Sequence, residues 1–192
     1  SRLLLSFLLL LLHGFLNAQH FTSSNLPIVI IDTQGQPIVD EPKISAMMKV
    51  LNSGGINRID DSNHEYFGYI GIELRGNTSQ SFDKKSFNVE TRDVNGENLN
   101  VSLMGLPKEN DWVLQGPYAD KSLIRNVLAY HLGNSQGRWS PRTHFCEVVI
   151  NNEYRGVYVL VEKIKRDKNR VDIATLTPDD NEGDELTGGY IM

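Results

Sequence analysis

The feature that most constrains the fold is a pair of alternating segments on either side of a polar turn, at residues 70–90. Before the turn, apolar residues occupy every second position: Ile70, Ile72 and Leu74. After the turn, Lys85 shares one face with Phe87 and Val89, because successive strand side chains point to opposite faces. This period predicts two paired strands with one buried face, and it places Lys85 on that face.

The position of Lys85 predicts a site for phosphate groups. The preceding turn is rich in glycine, serine and threonine, so backbone amides and hydroxyls should lie close to an inward-facing ammonium. Such donors suit the phosphates of a nucleotide. The competing interpretation is an ordinary hairpin whose lysine extends its ammonium back to water. In both cases Lys84 is expected to point to the opposite face.

Composition places the chain among globular proteins and argues against one class of partner. The 192 residues are 40% hydrophobic with mixed charge, which suits one domain of moderate size, or one and a half. The net charge of -5, from 24 acids against 19 lysines and arginines, argues against nucleic acid as a partner. The single cysteine, Cys146, excludes an internal disulfide and is expected to be buried as a small apolar residue.

Residues 1–18 have the pattern of a secretory signal peptide. Arg2 precedes an almost continuous apolar run, and Ala18 supplies a small residue for cleavage. The sequence therefore predicts cleavage after Ala18 and a secreted, periplasmic or cell-surface location. The run is too short to span a bilayer comfortably, so no stable membrane span is expected after cleavage. A core helix is the competing interpretation of this run.

The rest of the chain is dominated by predicted strands. Residues 27–31 and residues 112–114 form short apolar runs typical of buried strands. Residues 44–50 alternate like a strand, although an amphipathic helix is an open alternative. Residues 143–150 and 157–163 flank a turn rich in asparagine and glycine, which predicts a hairpin.

One helix is predicted at residues 121–136, with Asp120 as its N-cap. Its apolar stripe has helical spacing and consists of Leu123, Ile124, Val127, Leu128, His131 and Leu132. The helix contains no carboxylate. A basic run from Lys163 to Arg170 follows the last hairpin and is expected to be a solvated loop.

Five segments resemble, in their order, the CotH-type kinase family, which is also described as spore coat protein H-like. They are residues 74–79, 82–87, 111–114, 120–126 and 152–163. The chain looks like a secreted bacterial member of this family over residues 65–192.

The resemblance implies a fold as well as a family. It predicts an α+β, atypical protein-kinase-like small lobe with an antiparallel sheet and one main helix, truncated before the large lobe. Residues 65–192 would then be the N-terminal part of an incomplete kinase domain. Residues 19–64 would be an N-terminal extension of strands and loops, either an added strand layer on the lobe or a small separate unit.

The resemblance also implies transfer of the γ-phosphate of ATP to Ser or Thr of exported proteins, with Mg²⁺ or Mn²⁺. By position, Lys85 would contact the phosphates, Arg75 and Ser79 would belong to the covering turn, and Glu162 would lie near the adenine. The catalytic and metal-binding aspartates are expected downstream of Met192. No catalytic or metal residue is therefore predicted within the chain, which by itself is expected to be inactive.

Two questions stay open at this point. A kinase pairs its strand lysine with a helix glutamate, which this helix lacks. Either Asp120, Glu73 or Glu162 substitutes for it, or Asn126 and Arg125 play a different part. The function could also be that of a non-catalytic surface adhesin or binding protein on a degenerate kinase fold. A further alternative is a carbohydrate- or wall-binding β-domain, with aromatic residues available at Trp112, Tyr118, Trp139 and Tyr158.

Overall fold

The computed structural model describes residues 21–183. The predicted signal peptide lies outside this part of the chain. The described elements are β1 (Ser23–Ser24), β2 (Ile28–Asp32), β3 (Ile44–Leu51), β4 (Asn57–Arg58), β5 (Tyr66–Arg75), a 3-10 turn (Thr78–Ser81), β6 (Ser86–Arg92), β7 (Asp111–Gln115), α1 (Arg125–Ser135), β8 (Thr143–Ile150) and β9 (Glu153–Glu162).

Seven of the strands close into a barrel in the order β2-β3-β5-β6-β7-β9-β8. Every neighbouring pair is antiparallel except β2 and β8, which run parallel from Ile28 opposite Glu147 to Ile31 opposite Ile150. This parallel pair closes the barrel. The short strands β1 and β4 pair separately.

Alternate residues of each barrel strand fill the interior. The predicted alternation of the central hairpin is confirmed, since Ile70 and Ile72 are fully buried and β5 pairs with β6. The ambiguous segment at residues 44–50 is a strand, and it buries Ala46, Met48 and Val50 in the same core. A one-residue slip of any of these strands would turn its apolar face to water, so the alternation fixes the register.

The predicted α+β small lobe, an antiparallel sheet with one main helix, is wrong. The described residues are mostly strand, and their sheet is a closed barrel with one α-helix outside it. The difference arises in the segment before residue 65. Its strands β2 and β3 are two of the seven barrel strands, and β2 joins the two ends of the sheet.

Helix α1 begins later and packs more loosely than predicted. The N-cap residue is Ile124 and not Asp120, because the helix starts at Arg125. Asp120 lies further upstream and accepts hydrogen bonds from Ser122 and from the amide of Arg125. Val127 and Tyr130 contact apolar residues on the outside of β7, β8 and β9. No residue of α1 is buried. Across residues 21–183, no helix has the length and apolar character needed to cross a membrane.

Candidate functional site

One end of the barrel opens into a cavity of about 680 Å³. Three connections surround it: the loop after β2, the turn between β5 and β6, and the turn between β8 and β9. We call it the lysine cavity. The residues that line it include Asp83, Lys84, Lys85, Tyr118, Tyr154, Arg155 and Tyr158.

Lys84 reaches the wall of this cavity beside β9. Its Nζ donates a hydrogen bond of 2.7 Å to the carbonyl oxygen of Val157 and lies 4.6 Å from the centroid of the Tyr158 ring. Burial lowers the pKa of the Lys84 ammonium, and the negative charge of Glu147 opposes that shift only in part. Lys84 and Lys85 line the same cavity, although their ammonium groups bind carbonyl oxygens of different elements. Strand β6 begins only at Ser86, so the strand alternation does not extend to either lysine.

Lys85 lies in the same cavity, and its Nζ donates a hydrogen bond of 2.8 Å to the carbonyl oxygen of Gln80. This bond ties the start of β6 to the preceding turn. Arg155 adds a third cation, and its ion pair with Glu153 leaves the guanidinium partly exposed. Against these three cations the cavity wall holds one carboxylate, Asp83. The balance of charge favours an anionic ligand.

Aromatic rings supply the apolar walls of the lysine cavity. Tyr118 stacks on Phe82 with ring centroids 5.1 Å apart, and its hydroxyl is 3.4 Å from Asp83 Oδ2. Tyr158 is buried, and burial raises its pKa to about 12. Tyr154 closes another side. A pocket of this size with apolar walls and a few convergent polar groups is typical of small-molecule sites.

Glu147 is a buried carboxylate that the sequence did not single out. It lies on β8 next to Cys146, on the opposite face of the strand, and accepts hydrogen bonds from Tyr154 Oη (2.7 Å) and Ser24 Oγ (3.0 Å). Its charge acts on Lys84 through the sheet. A lone glutamate between apolar residues carries no local signal for this role, because its partners are distant in sequence.

The three carboxylates considered as partners of Lys85 are engaged elsewhere. Asp120 is bonded within the turn before α1. Glu73 accepts a hydrogen bond from Asn88 Nδ2 (2.9 Å) and lies 3.6 Å from Lys43 Nζ. Glu162 pairs with an arginine, as described below. Among residues 21–183, none of the three forms a salt bridge with Lys85.

Arg75 and Ser79 line a second cavity of about 370 Å³, which we call the arginine cavity. Arg125 and Asn126 from the start of α1 form its other side, and Tyr118 lies between the two cavities and lines both. The structure thus brings Arg75 and Ser79 together, but it separates them from Lys85 by one aromatic side chain.

The turn that carries Ser79 depends on a glycine. Gly76 has φ +109°, a backbone conformation that L side chains rarely adopt, and a Cβ at this position would overlap Ser79 Oγ. The sequence Arg75-Gly76 therefore fixes the path of the chain at the edge of the arginine cavity.

Glu162 lies at the opposite end of the barrel. It is 1% exposed, and it accepts hydrogen bonds from the Arg142 amide (2.9 Å) and from Arg142 Nε and Nη2 (both 2.8 Å). Strand β8 begins beside this pair and ends at Ile150 in the lysine cavity; its 8 residues span roughly 23 Å. The structure therefore does not bring Glu162 to the other candidate residues, and its contact with adenine stays a prediction.

A network of charges surrounds Glu162. Lys165 Nζ lies 2.7 Å from both Glu109 and Asp111, and Arg170, which is 2% exposed, covers the Trp112 ring at 5.2 Å. Burial alone would raise the pKa of Asp111, but the hydrogen bond from Lys165 and the charges of Lys163 and Lys165 together outweigh it and leave that pKa lowered. The expectation of a solvated basic loop is wrong for Arg170. This network fastens the segment after β9 across the end of the barrel.

The described residues offer no ligand set for a divalent metal. Within residues 21–183, no three His, Cys, Asp or Glu side chains are placed to hold an ion together. Cys146 is fully buried, as expected, and burial raises the pKa of its thiol to about 12. A thiol with that pKa stays protonated near neutral pH, so Cys146 is part of the core.

The fold and its cavities define a class of protein, a β-barrel with a cationic, aromatic-walled site at one end. The family is defined by the comparison of sequences. The family model described as CotH kinase protein matches residues 72–187, which is more than half of the chain. The chain therefore belongs to the CotH kinase family. No curated protein matches it.

Proposed function

We propose that this chain belongs to an exported protein kinase that binds ATP in the lysine cavity and transfers the γ-phosphate to Ser or Thr of other exported proteins. One observation carries the proposal of the site. Lys84, Lys85 and Arg155 line one cavity of about 680 Å³, with a single carboxylate among them. Membership of the CotH kinase family supports the reaction class.

Each lining group has a role in this proposal. Lys84 and Lys85 neutralise the phosphate charge, while Tyr118 and Tyr154 provide flat walls for the adenine. Arg75 and Ser79 receive the terminal phosphate where it extends past Tyr118 into the arginine cavity. Kinases of any fold accelerate transfer mainly by positioning and charge neutralisation, and these groups supply both.

Mg²⁺ or Mn²⁺ would neutralise part of the phosphate charge when bound, but residues 21–183 contain no group of carboxylates, histidines or cysteines that could hold such an ion. Because the resemblance places the catalytic aspartates beyond Met192, we also propose that the 192-residue chain binds nucleotide without transferring phosphate. A phosphorylated acceptor that required Lys85, produced by this chain alone, would contradict that part.

The first test is thermal unfolding with and without ATP, in the presence of Mg²⁺ or Mn²⁺. A ligand that binds only the native state stabilises it by about 2.7 kcal/mol at a hundredfold excess over its dissociation constant. We expect this stabilisation in the wild type and its loss in Lys85→Ala. Lys168→Ala is the matched control, because Lys168 is exposed and lies outside both cavities.

The same measurement distinguishes the proposed nucleotide site from the alternative functions. No stabilisation of the wild type by ATP would overturn the nucleotide site and favour a non-catalytic surface binding protein. The glycan-binding alternative loses two of its four aromatic residues, since Trp112 and Tyr158 are buried in the barrel core.

A further inference from the structure

Within residues 21–183, half of the apolar face of helix α1 is left exposed. Val127 and Tyr130 contact the barrel, whereas Ile124, Leu128 and Leu132 are each about half exposed. These three residues follow each other at intervals of four and therefore form one stripe along the helix. Exposed leucines scattered singly need no explanation, but a continuous stripe marks an interaction surface.

The charge around this stripe is mainly positive, although Asp120 just before the helix lies 3.5 Å from Arg125 Nε. After Asp120, the sequence contains no aspartate or glutamate until Glu147, although the whole chain carries a net charge of -5. Lys121, Arg125 and Arg138 are all exposed beside the helix, and the Arg125 side chain is 78% exposed. The stripe is therefore an apolar surface with a cationic border.

The positive charge beside the stripe indicates which kind of partner binds there. A second copy of this chain would place the same cations opposite each other without a carboxylate on the helix to compensate them, which disfavours a symmetric pairing. An amphipathic segment with leucines on one face and acidic residues beside them complements both the stripe and its border. The stripe is also continuous with the arginine cavity, because Leu123 and Arg125 line that cavity.

We propose that α1 and the arginine cavity bind an acidic amphipathic segment of the protein that receives the phosphate. Its apolar residues cover Ile124, Leu128 and Leu132, and its carboxylates face Arg125 and Arg75. The binding surface follows from the residues above. That the bound protein is a phosphate acceptor rests on the function proposed for the lysine cavity.

The test uses a fluorescein-labelled helical peptide with leucine at i, i+4 and i+7 and glutamate elsewhere. Fluorescence anisotropy with the full chain should show saturable binding that weakens as salt is added. The same peptide with lysine in place of glutamate should bind at least about tenfold more weakly, since like charges then face each other. Equal binding of the two peptides would overturn the charge complementarity and with it the proposal.

Two variants locate the binding surface. Leu128→Asn should weaken binding of the acidic peptide by about tenfold or more, as expected when a leucine no longer contributes its apolar area. Val94→Asn is the matched control, because Val94 is 78% exposed and lies in the turn after β6, away from α1. Unchanged affinity of Leu128→Asn, or equal losses in both variants, would overturn the proposal.

Other occupants give different results. Binding to anionic lipid vesicles without binding to the acidic peptide would assign the stripe to a membrane surface. Concentration-dependent dimerisation that Leu128→Asn abolishes would assign it to a second copy. Both results overturn the proposal. ATP stabilisation measured in parallel keeps the two hypotheses apart: stabilisation without peptide binding contradicts only the docking surface, and peptide binding without stabilisation contradicts only the nucleotide site.

Discussion

At the scale of single residues, the described chain buries charge in two different ways. Glu162 is fully enclosed, and Arg142 satisfies both of its carboxylate oxygens. Lys84 is only partly enclosed. Its ammonium donates a hydrogen bond to a carbonyl oxygen and lies over a tyrosine ring. The first arrangement stabilises a strand end by giving both carboxylate oxygens a hydrogen-bond donor. The second leaves a cation whose charged form the fold disfavours, next to a cavity that an anion can enter.

Removing the partner of Glu162 should be costly. We expect Arg142→Met to lower the free energy of unfolding by about 3–5 kcal/mol, because the buried carboxylate then loses its hydrogen-bonded cation and keeps only Arg170, whose Nε lies 4.0 Å away. Urea unfolding followed by tryptophan fluorescence measures the loss. Glu162→Met combined with Arg142→Met should recover part of it, since the carboxylate left without its hydrogen-bond donors is then removed. A loss below about 1 kcal/mol in the single variant would contradict the arrangement.

Lys84 should give the chain a distinct dependence on pH. Burial lowers the pKa of Lys84 below its ordinary 10.5, so between the two values the unfolded chain binds more protons than the folded one. Stability contributed by this site therefore rises with pH across that window. We expect Lys84→Met to lack the rise, so that its stability relative to wild type falls as pH approaches about 10. Parallel stability profiles of the two proteins would contradict this.

At the scale of elements, one close approach between segments holds the lysine cavity in shape. Gly116, just after β7, leaves no room for a side chain: a Cβ there would lie 2.6 Å from the backbone oxygen of Lys85 and 3.1 Å from the Tyr158 ring. Its amide also donates a 3.0 Å hydrogen bond to Ser86 Oγ. The end of β7 thus fixes the start of β6, where both lysines lie.

A methyl group at this position should be disruptive. We expect Gly116→Ala to cost about 1–3 kcal/mol in unfolding free energy and to weaken ATP binding, because the backbone of Lys85 must move. Gly71→Ala is the control, since the group met there is the movable guanidinium of Arg92. Calorimetry with and without ATP measures both effects. Equal effects of the two substitutions would contradict the role of Gly116.

The sequence predicts the strands, the helix and the direction of their side chains only in part. The strands of the central hairpin were predictable because their alternation is local and regular. The orientation of Lys84 was not, since the residue lies before the strand and the path of β9 decides where its ammonium goes. The apolar stripe of α1 was predicted from its helical spacing, but that spacing cannot say which half of a broad apolar face meets the barrel. Glu147 had no local signal at all.

At the scale of the whole molecule, the closure of the sheet into a barrel determines the fold. Strands β2 and β8 pair in parallel although about 120 residues of sequence separate them, and no local sequence pattern predicts this pairing. That pairing is why the expected open lobe is a barrel. Strands β2 and β3 also supply core residues that the family match at residues 72–187 does not include: Val29, Ile31, Ala46, Met48 and Val50.

A chain that begins at residue 65 should therefore fail to fold. Four of the five missing core side chains are larger than alanine, and each of these contributes about 1.5–3 kcal/mol by burial, which together is comparable to the total stability of a typical domain. We expect no cooperative urea transition and strong binding of a dye specific for apolar surface. A chain beginning at residue 21 is the control and should unfold cooperatively. Cooperative unfolding of the shorter chain would contradict this account of the barrel.

The parallel pairing of β2 with β8 also sets an order of assembly during synthesis. The first barrel strand leaves the ribosome early, but its second neighbour is completed only when Ile150 has been added. Until then β2 carries an unpaired edge, which is a template for wrong pairing with other chains. The nascent chain therefore exposes an unpaired strand edge for most of its synthesis and can aggregate during that time. We expect a chaperone that covers the early strands to increase the yield of folded barrel more than a stabilising substitution in the core.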